Sequence, residues 1–220
     1  MPPAQGLALV FDMDGVLVDS NPVHAEAWTI FNRRYGLDTT GAMIEAMYGK
    51  RNDEIIREFF GDLDPGEIAR RGAAKEALYR EMIAGRVDQF LVPGIKPFLE
   101  RHARSPMALA SNAEPANVEF ILDQGGLRPF FRVIVDGHQV RRPKPDPEIY
   151  LRAAELLGIA PPNCIVFEDS TTGVRAAQAA RTRVVGVSTT HRHLPGTDLT
   201  IDTFGNSSLE PWLLAQTPVN

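Results

Sequence analysis

Leu7-Ala8-Leu9-Val10-Phe11-Asp12-Met13-Asp14-Gly15-Val16-Leu17-Val18-Asp19 is the most informative stretch of the chain. Residues 7–11 form a short apolar run closed by a turn signal, the pattern of a buried strand. The run ends in two aspartates one residue apart, Asp12 and Asp14, and then Gly15. An open α/β sheet takes its ligand at the carboxyl ends of its strands. Carboxylates this close repel unless something positive sits between them, and a divalent cation meets that need. The alternative is a strand end that turns through an Asx turn into Gly15.

The bulk properties narrow the classes. The 220 residues are 44% hydrophobic and 23% charged, an ordinary globular composition with room for a sizeable core. Lys and Arg number 23 against 28 Asp and Glu, and the net charge of -5 argues against nucleic acid as a partner, since phosphate backbones are bound by surplus basic residues. One cysteine, Cys164, excludes an intramolecular disulfide and a multi-cysteine zinc site, and its apolar setting suits packing. There is no basic leader at the start and no apolar run long enough for a bilayer, so no membrane contact and a cytoplasmic location are expected. Oligomeric state is not legible; a monomer is the working expectation.

Five strands are expected: residues 7–11, Met107–Ala110, Val133–Val135, residues 165–167 and Arg183–Val187. Helical patterns alternate with the later ones, at Pro115–Gln124 before Gly125-Gly126 and at residues 147–157. The second has Asp146 as N-cap, Pro147 in the first turn and Gly158 as the stop. This alternation predicts an α/β, Rossmann-like parallel sheet with helices on both faces. Residues 19–90 differ: they show amphipathic patterns at 23–35, Asn52–Phe60 and 67–83 and no convincing strand. The expected division is therefore a core of residues 1–17 and 92–220 with a small all-helical cap, 18–91, inserted after the first strand and placed over the strand ends.

Four places carry candidate chemistry. One of the Asp12 and Asp14 pair can attack phosphorus and the other can move a proton. Glu168-Asp169-Ser170 is a second acidic group directly after a buried strand, and the two clusters can share one Mg²⁺ through oxygen ligands. The alternative is acidic residues collected at a helix N-terminus. Ser111 and Asn112, after a strand and near a helix start, suit phosphate oxygens as well as simple capping. Lys144 lies between Pro143 and Pro145, which stiffen its loop; it suits a phosphate, or it is a solvated basic loop.

These four pieces, in this order, resemble the haloacid dehalogenase superfamily. Asp12-Met13-Asp14 resembles its nucleophile motif, Ser111 its Ser/Thr motif, Lys144 its third-motif lysine and Glu168-Asp169 its acidic fourth motif. The resemblance implies a Rossmann-like core, Mg²⁺ and a helical cap. Residues 12–20, His24 and Trp28 are similar to the β-phosphoglucomutase-like subgroup of phosphatases and mutases. It implies substrate selection by His24, which could instead be a bonded hinge histidine. It also implies a specificity loop at Gly49-Lys50-Arg51 and a distal-phosphate lysine at Lys75, whose alternative is a helix-surface lysine. Two departures stand out. Asn112-Ala113-Glu114-Pro115 looks more like the phosphatases, and Glu114 would repel a second phosphate. Arg181 stands where the subgroup has a glycine, which strains a helix end.

The resemblance implies an enzyme that transfers a phosphoryl group from a small phosphorylated metabolite, a sugar phosphate, through an aspartyl-phosphate. Catalysis falls to Asp12, Asp14, Ser111 and Lys144. The metal falls to Asp12, the Asp14 backbone, Asp169 and Glu168, and the substrate to His24, Lys50, Arg51, Lys75 and Asn112. The alternatives are a β-phosphoglucomutase, more remotely a dehalogenase, and an inactive metal- or phosphate-binding module.

Overall fold

The computed structural model describes residues 6–218; residues 1–5 and 219–220 of the expected core lie outside that range. The described residues form six strands: β1 (Ala8–Phe11), β2 (Met107–Ala110), β3 (Val133–Val135), β4 (Cys164–Glu168), β5 (Arg183–Val187) and β6 (Leu199–Ile201). They form one parallel sheet in the order β3-β2-β1-β4-β5-β6. The five expected strands are all there. The sixth, Leu-Thr-Ile, escaped the sequence reading because three residues at a sheet edge are too few to show a period of two.

The sheet follows from alternation along each strand. Leu9, Phe11, Met107, Leu109, Ile165 and Phe167 point to one face. Ala8, Val10, Ala108, Ala110, Cys164 and Val166 point to the other. The first face is covered by α6 (Ile95–Arg101), α7 (Pro115–Gln124) and α10 (Leu209–Ala215). The second carries α8 (Glu148–Leu157) and α9 (Thr171–Ala179), which pack onto its smaller side chains. Phe11 stacks on Phe167 with ring centroids 4.7 Å apart, joining β1 to β4 on the larger-residue face. Each such buried ring contributes about 1.5–3 kcal/mol.

Helix α8 begins one residue later than expected, with Pro147 at the N-cap, because Asp146 caps from one position further out: its Oδ1 accepts the Glu148 N–H at 3.0 Å. Gly158 closes the helix with φ of 70° as expected. After α9, Arg181 takes φ of 61°, the one positive φ outside glycine among the described residues. That is the strained helix end the departure from glycine implied.

Between β1 and α6 the chain forms α1 (Asn21–Arg33), α2 (Gly41–Met47), α3 (Asn52–Phe60), α4 (Pro65–Ile83) and α5 (Val87–Phe90). The three expected patterns correspond to α1, α3 and α4; α2 and α5 are too short to show a period. Helices α1, α3 and α4 share an apolar cluster built on Trp28, Phe31, Ile55, Ile56 and Ile68. Tyr79 and Ile83 of α4 reach the sheet's own cluster, so the insert is seated against the core. Where the chain leaves and returns, Asp19 N–H donates to the Phe90 carbonyl at 2.7 Å and Val92 N–H to the Leu17 carbonyl at 3.0 Å.

Candidate active site

From β1 the chain adds β2 and β3 on one side and then β4 to β6 on the other, and this switch in winding beside β1 opens a crevice at the strand ends. Asp12 continues β1 by one residue, its N–H bonded to the Phe167 carbonyl at 3.0 Å. Ser111 follows β2, and Asp169 follows β4. Lys144 reaches in from the loop before α8. Its Nζ donates to Asp12 Oδ1 at 2.6 Å, to Glu168 Oε1 at 2.7 Å and to the Ala110 carbonyl at 3.1 Å. The solvated-loop alternative for Lys144 is overturned: the ammonium is buried because two strand-end carboxylates pair with it.

Glu168 is saturated. Its Oε1 also accepts the Tyr150 hydroxyl at 2.5 Å, and its Oε2 accepts the N–H groups of Asp169 and Ser170 and the Ser170 hydroxyl. A carboxylate offers about four lone-pair sites, so little capacity is left. A Cβ on Gly173 would lie 1.8 Å from this carboxylate, so only glycine lets α9 start so close. Asp169 is freer: its Oδ2 accepts Asn21 Nδ2 at 3.1 Å and the Thr190 hydroxyl.

Asp12, Glu168 and Asp169 have carboxylate oxygens all within 4.8 Å of one another. With Lys144 among them, three negative charges face one positive charge. Burial, opposed by Lys144 and reinforced by the charges of Glu168 and Asp14, pushes the Asp12 carboxyl up to about 7. Burial and the charges of Glu168 and Asp12 push Asp169 well above the carboxylate range. Burial would lower the Lys144 ammonium, but Asp12 and Glu168 outweigh it and hold it above its ordinary value. An all-oxygen, buried donor set two negative charges in excess fits a hard divalent cation.

Asp14 faces the insert instead. Its Oδ1 accepts the Ser20 hydroxyl and lies 3.4 Å from His24 Nε2. Burial pushes this carboxyl up, but His24 and Ser20 outweigh it and hold it below its ordinary value. The His24 ring stacks on Tyr79 with centroids 3.7 Å apart, and its Nδ1 lies 2.7 Å from Lys75 Nζ.

Lys75 is not a helix-surface lysine: it is 1% exposed. Helix α4 packs against both the insert and the core, so Lys75 is enclosed by Trp28, His24 and Glu76. Lys50 pairs with Glu58 at 2.5 Å, and Arg51 Nη2 donates to the carbonyls of Val140, at 2.9 Å, and Gly137. Asn112 ties the two parts together, its Nδ2 donating to the Gly49 carbonyl at 2.9 Å. Ser111 Oγ accepts the Ala113 N–H at 3.1 Å, which leaves its hydroxyl proton to donate.

All the residues expected to serve catalysis, metal or substrate except Glu168 line one cavity between insert and core, of about 740 Å³ counting its mouth. Glu168 lies beneath it. The sequence reading missed Asn21, Tyr48, Glu76 and Asn117 on its wall. Thr190, which holds Asp169, also went unread. Asn21 sits just past the opening stretch and Thr190 just past β5, where the strand-end rule points. Glu76 adjoins Lys75.

A model of the haloacid dehalogenase-like hydrolases matches residues 7–181, and the chain belongs to that family of hydrolases. The fructose-1-phosphate phosphatase YqaB of Escherichia coli is 35% identical over 184 residues, spanning 81% of this chain and 95% of that one. Among solved structures, a β-phosphoglucomutase from Clostridium difficile superposes with a TM-score of 0.84 at 26% identity, covering 94% of this chain and 96% of that one. A CbbY mutant from Rhodobacter sphaeroides, in complex with xylulose-1,5-bisphosphate, has a TM-score of 0.80 at 27% identity, with 90% and 95% covered. No helix among the described residues is long and apolar enough to cross a membrane.

Proposed function

We propose that the chain is a Mg²⁺-dependent phosphatase of a small phosphorylated sugar. The observation that carries this reading is the placing of Asp12, held by Lys144, beside Asp169 at the foot of a cavity closed by the helical insert, residues 18–91, which acts as a cap. The Asp12 carboxylate attacks phosphorus, and the ester P–O bond breaks. The negative charge of the bound phosphate raises Asp14 so that it carries a proton, which it delivers to the leaving alcohol, with His24 at 3.4 Å placed to share it. Water then attacks the aspartyl-phosphate, gives its proton to Asp14 and releases phosphate with Asp12 restored. Ser111 and Lys144 hold the phosphate oxygens through the transfer. Mg²⁺ would be held by Asp12, the Asp14 carbonyl and Asp169, with Glu168 in support, and it supplies charge neutralisation at the phosphate. Most of the rate comes from positioning and electrostatics.

A β-phosphoglucomutase is the second reading, favoured by the presence of His24 and Lys75 on the cavity wall. There a sugar hydroxyl replaces water as acceptor. Incubation with β-glucose 1-phosphate and a trace of the 1,6-bisphosphate separates the two: glucose 6-phosphate marks a mutase, free phosphate a phosphatase. A phosphate-release screen with and without Mg²⁺ tests the primary reading. Asp12→Asn abolishes turnover in a folded protein; retained activity removes Asp12 as nucleophile. If no ester turns over although Mg²⁺ and phosphate bind, the chain is a binding module.

A further inference from the structure

The cations on the insert side of the cavity are already engaged. Lys75 Nζ is 2.9 Å from Glu76 Oε1, and both side chains are buried. Lys50 is paired with Glu58, and Arg51 turns its Nη2 onto two carbonyls of the core, leaving its buried Nε without a partner among the described residues. Glu114, also on the wall, pairs with Arg80 at 2.6 Å. A second phosphate entering this end therefore meets the carboxylates of Glu76 and Glu114 and no ammonium that is not already paired with a carboxylate.

Glu76 itself has room for one more bond. Its Oε1 accepts Asn52 Nδ2 at 2.6 Å and Lys75 Nζ at 2.9 Å, and its Oε2 accepts Asn117 Nδ2 at 2.6 Å. Three of about four lone-pair sites are filled, and the residue lines the cavity. Burial pushes this carboxyl up, but Lys75, His24 and Asn117 outweigh it and bring it down to about 2, so it stays charged at neutral pH.

We infer that Glu76 determines substrate specificity: its open site on Oε2 accepts a hydroxyl from the unphosphorylated end of the substrate, and its charge excludes a second phosphate. This inference rests on the phosphatase reading and narrows it to monophosphate esters of polyhydroxylated compounds. It separates this chain from a relative that holds a bisphosphate. An anionic carboxylate matched to a hydroxyl attracts it, while the same group facing a phosphate repels it.

The test measures affinity without turnover. Asp12→Asn protein is titrated with fructose 1-phosphate and with fructose 1,6-bisphosphate, alone and combined with Glu76→Gln. The monophosphate binds at least about tenfold more tightly to Asp12→Asn, and Glu76→Gln brings the two within about threefold. Equal affinities in Asp12→Asn, or a preference untouched by Glu76→Gln, overturn the inference. If the double variant does not fold, the comparison in Asp12→Asn still decides, with kcat/KM for both esters in the Glu76→Gln enzyme as a second measure. Selective binding with no phosphate release from the unmutated enzyme would instead overturn the phosphatase reading and leave the inference about Glu76 standing.

Discussion

A Cβ placed on Gly15 would lie 1.9 Å from Oδ2 of Asp169. The two residues are far apart in the chain, yet the turn after β1 and the acid after β4 fit only because one lacks a side chain. Gly15 also holds φ of 78°, a conformation other residues adopt only under strain. The glycine of the opening stretch thus serves both the turn and the acidic cluster.

Gly15→Ala should therefore displace Asp169. We expect a loss of about 1–3 kcal/mol in urea denaturation and a smaller rise in Tm on adding Mg²⁺ than in the parent. An unchanged Mg²⁺ response would show that Asp169 needs no such clearance.

Lys144 is the counter-charge for two buried carboxylates, and its loss leaves both unpaired. Lys144→Met should cost about 3–5 kcal/mol of stability. Phosphate release should fall by about 10²–10³. Urea melts that shift by less than about 1 kcal/mol would mean that Asp12 and Glu168 are accommodated without it.

Arg181→Gly should stabilise the protein by about 0.5–1 kcal/mol, because glycine holds the left-handed position after α9 without steric cost. The residue lies outside the cavity, so phosphate release should match the parent. A lower Tm would show that the Arg181 side chain contributes more than its backbone costs.

His102 gives a pH dependence unrelated to the acidic site. It is fully buried at the end of α6, its Nε2 is 3.1 Å from Glu210, and its Nδ1 has no partner among the described residues. Burial lowers the imidazole below its ordinary 6.5, with Glu210 opposing and Arg101 assisting. Below 6.5 the unfolded chain binds a proton that the folded chain refuses. The stability His102 contributes is therefore present above that value and lost as pH falls beneath it. Comparing Tm at about pH 7.5 and about pH 5.5, His102→Phe should lose less on acidification than the parent. Equal losses would assign the acid sensitivity elsewhere.

The sheet and the acidic cluster were legible because their signals are local. A strand end followed by carboxylates can be read at residues 7–14 and again at 165–169 without knowing what lies between. The burial of Lys75 was not, because it depends on α4 being covered from two sides, and a helical pattern reports only one face. Glu76 went unread for the same reason: its partners Asn52 and Asn117 lie in α3 and α7, which meet α4 only in the folded chain. The strain at Arg181 was readable because a left-handed helix end has a strong residue preference.

Cys164 opens the strand whose far end presents Glu168 and Asp169. It is the chain's one thiol, it is 1% exposed, and burial raises it to about 11. A thiol reagent therefore finds almost no thiolate and no path while the sheet is closed. Its reaction rate is a clock for the parting of β4 from its neighbours, so the lifetime of the folded site can be followed chemically, with no substrate and no added label.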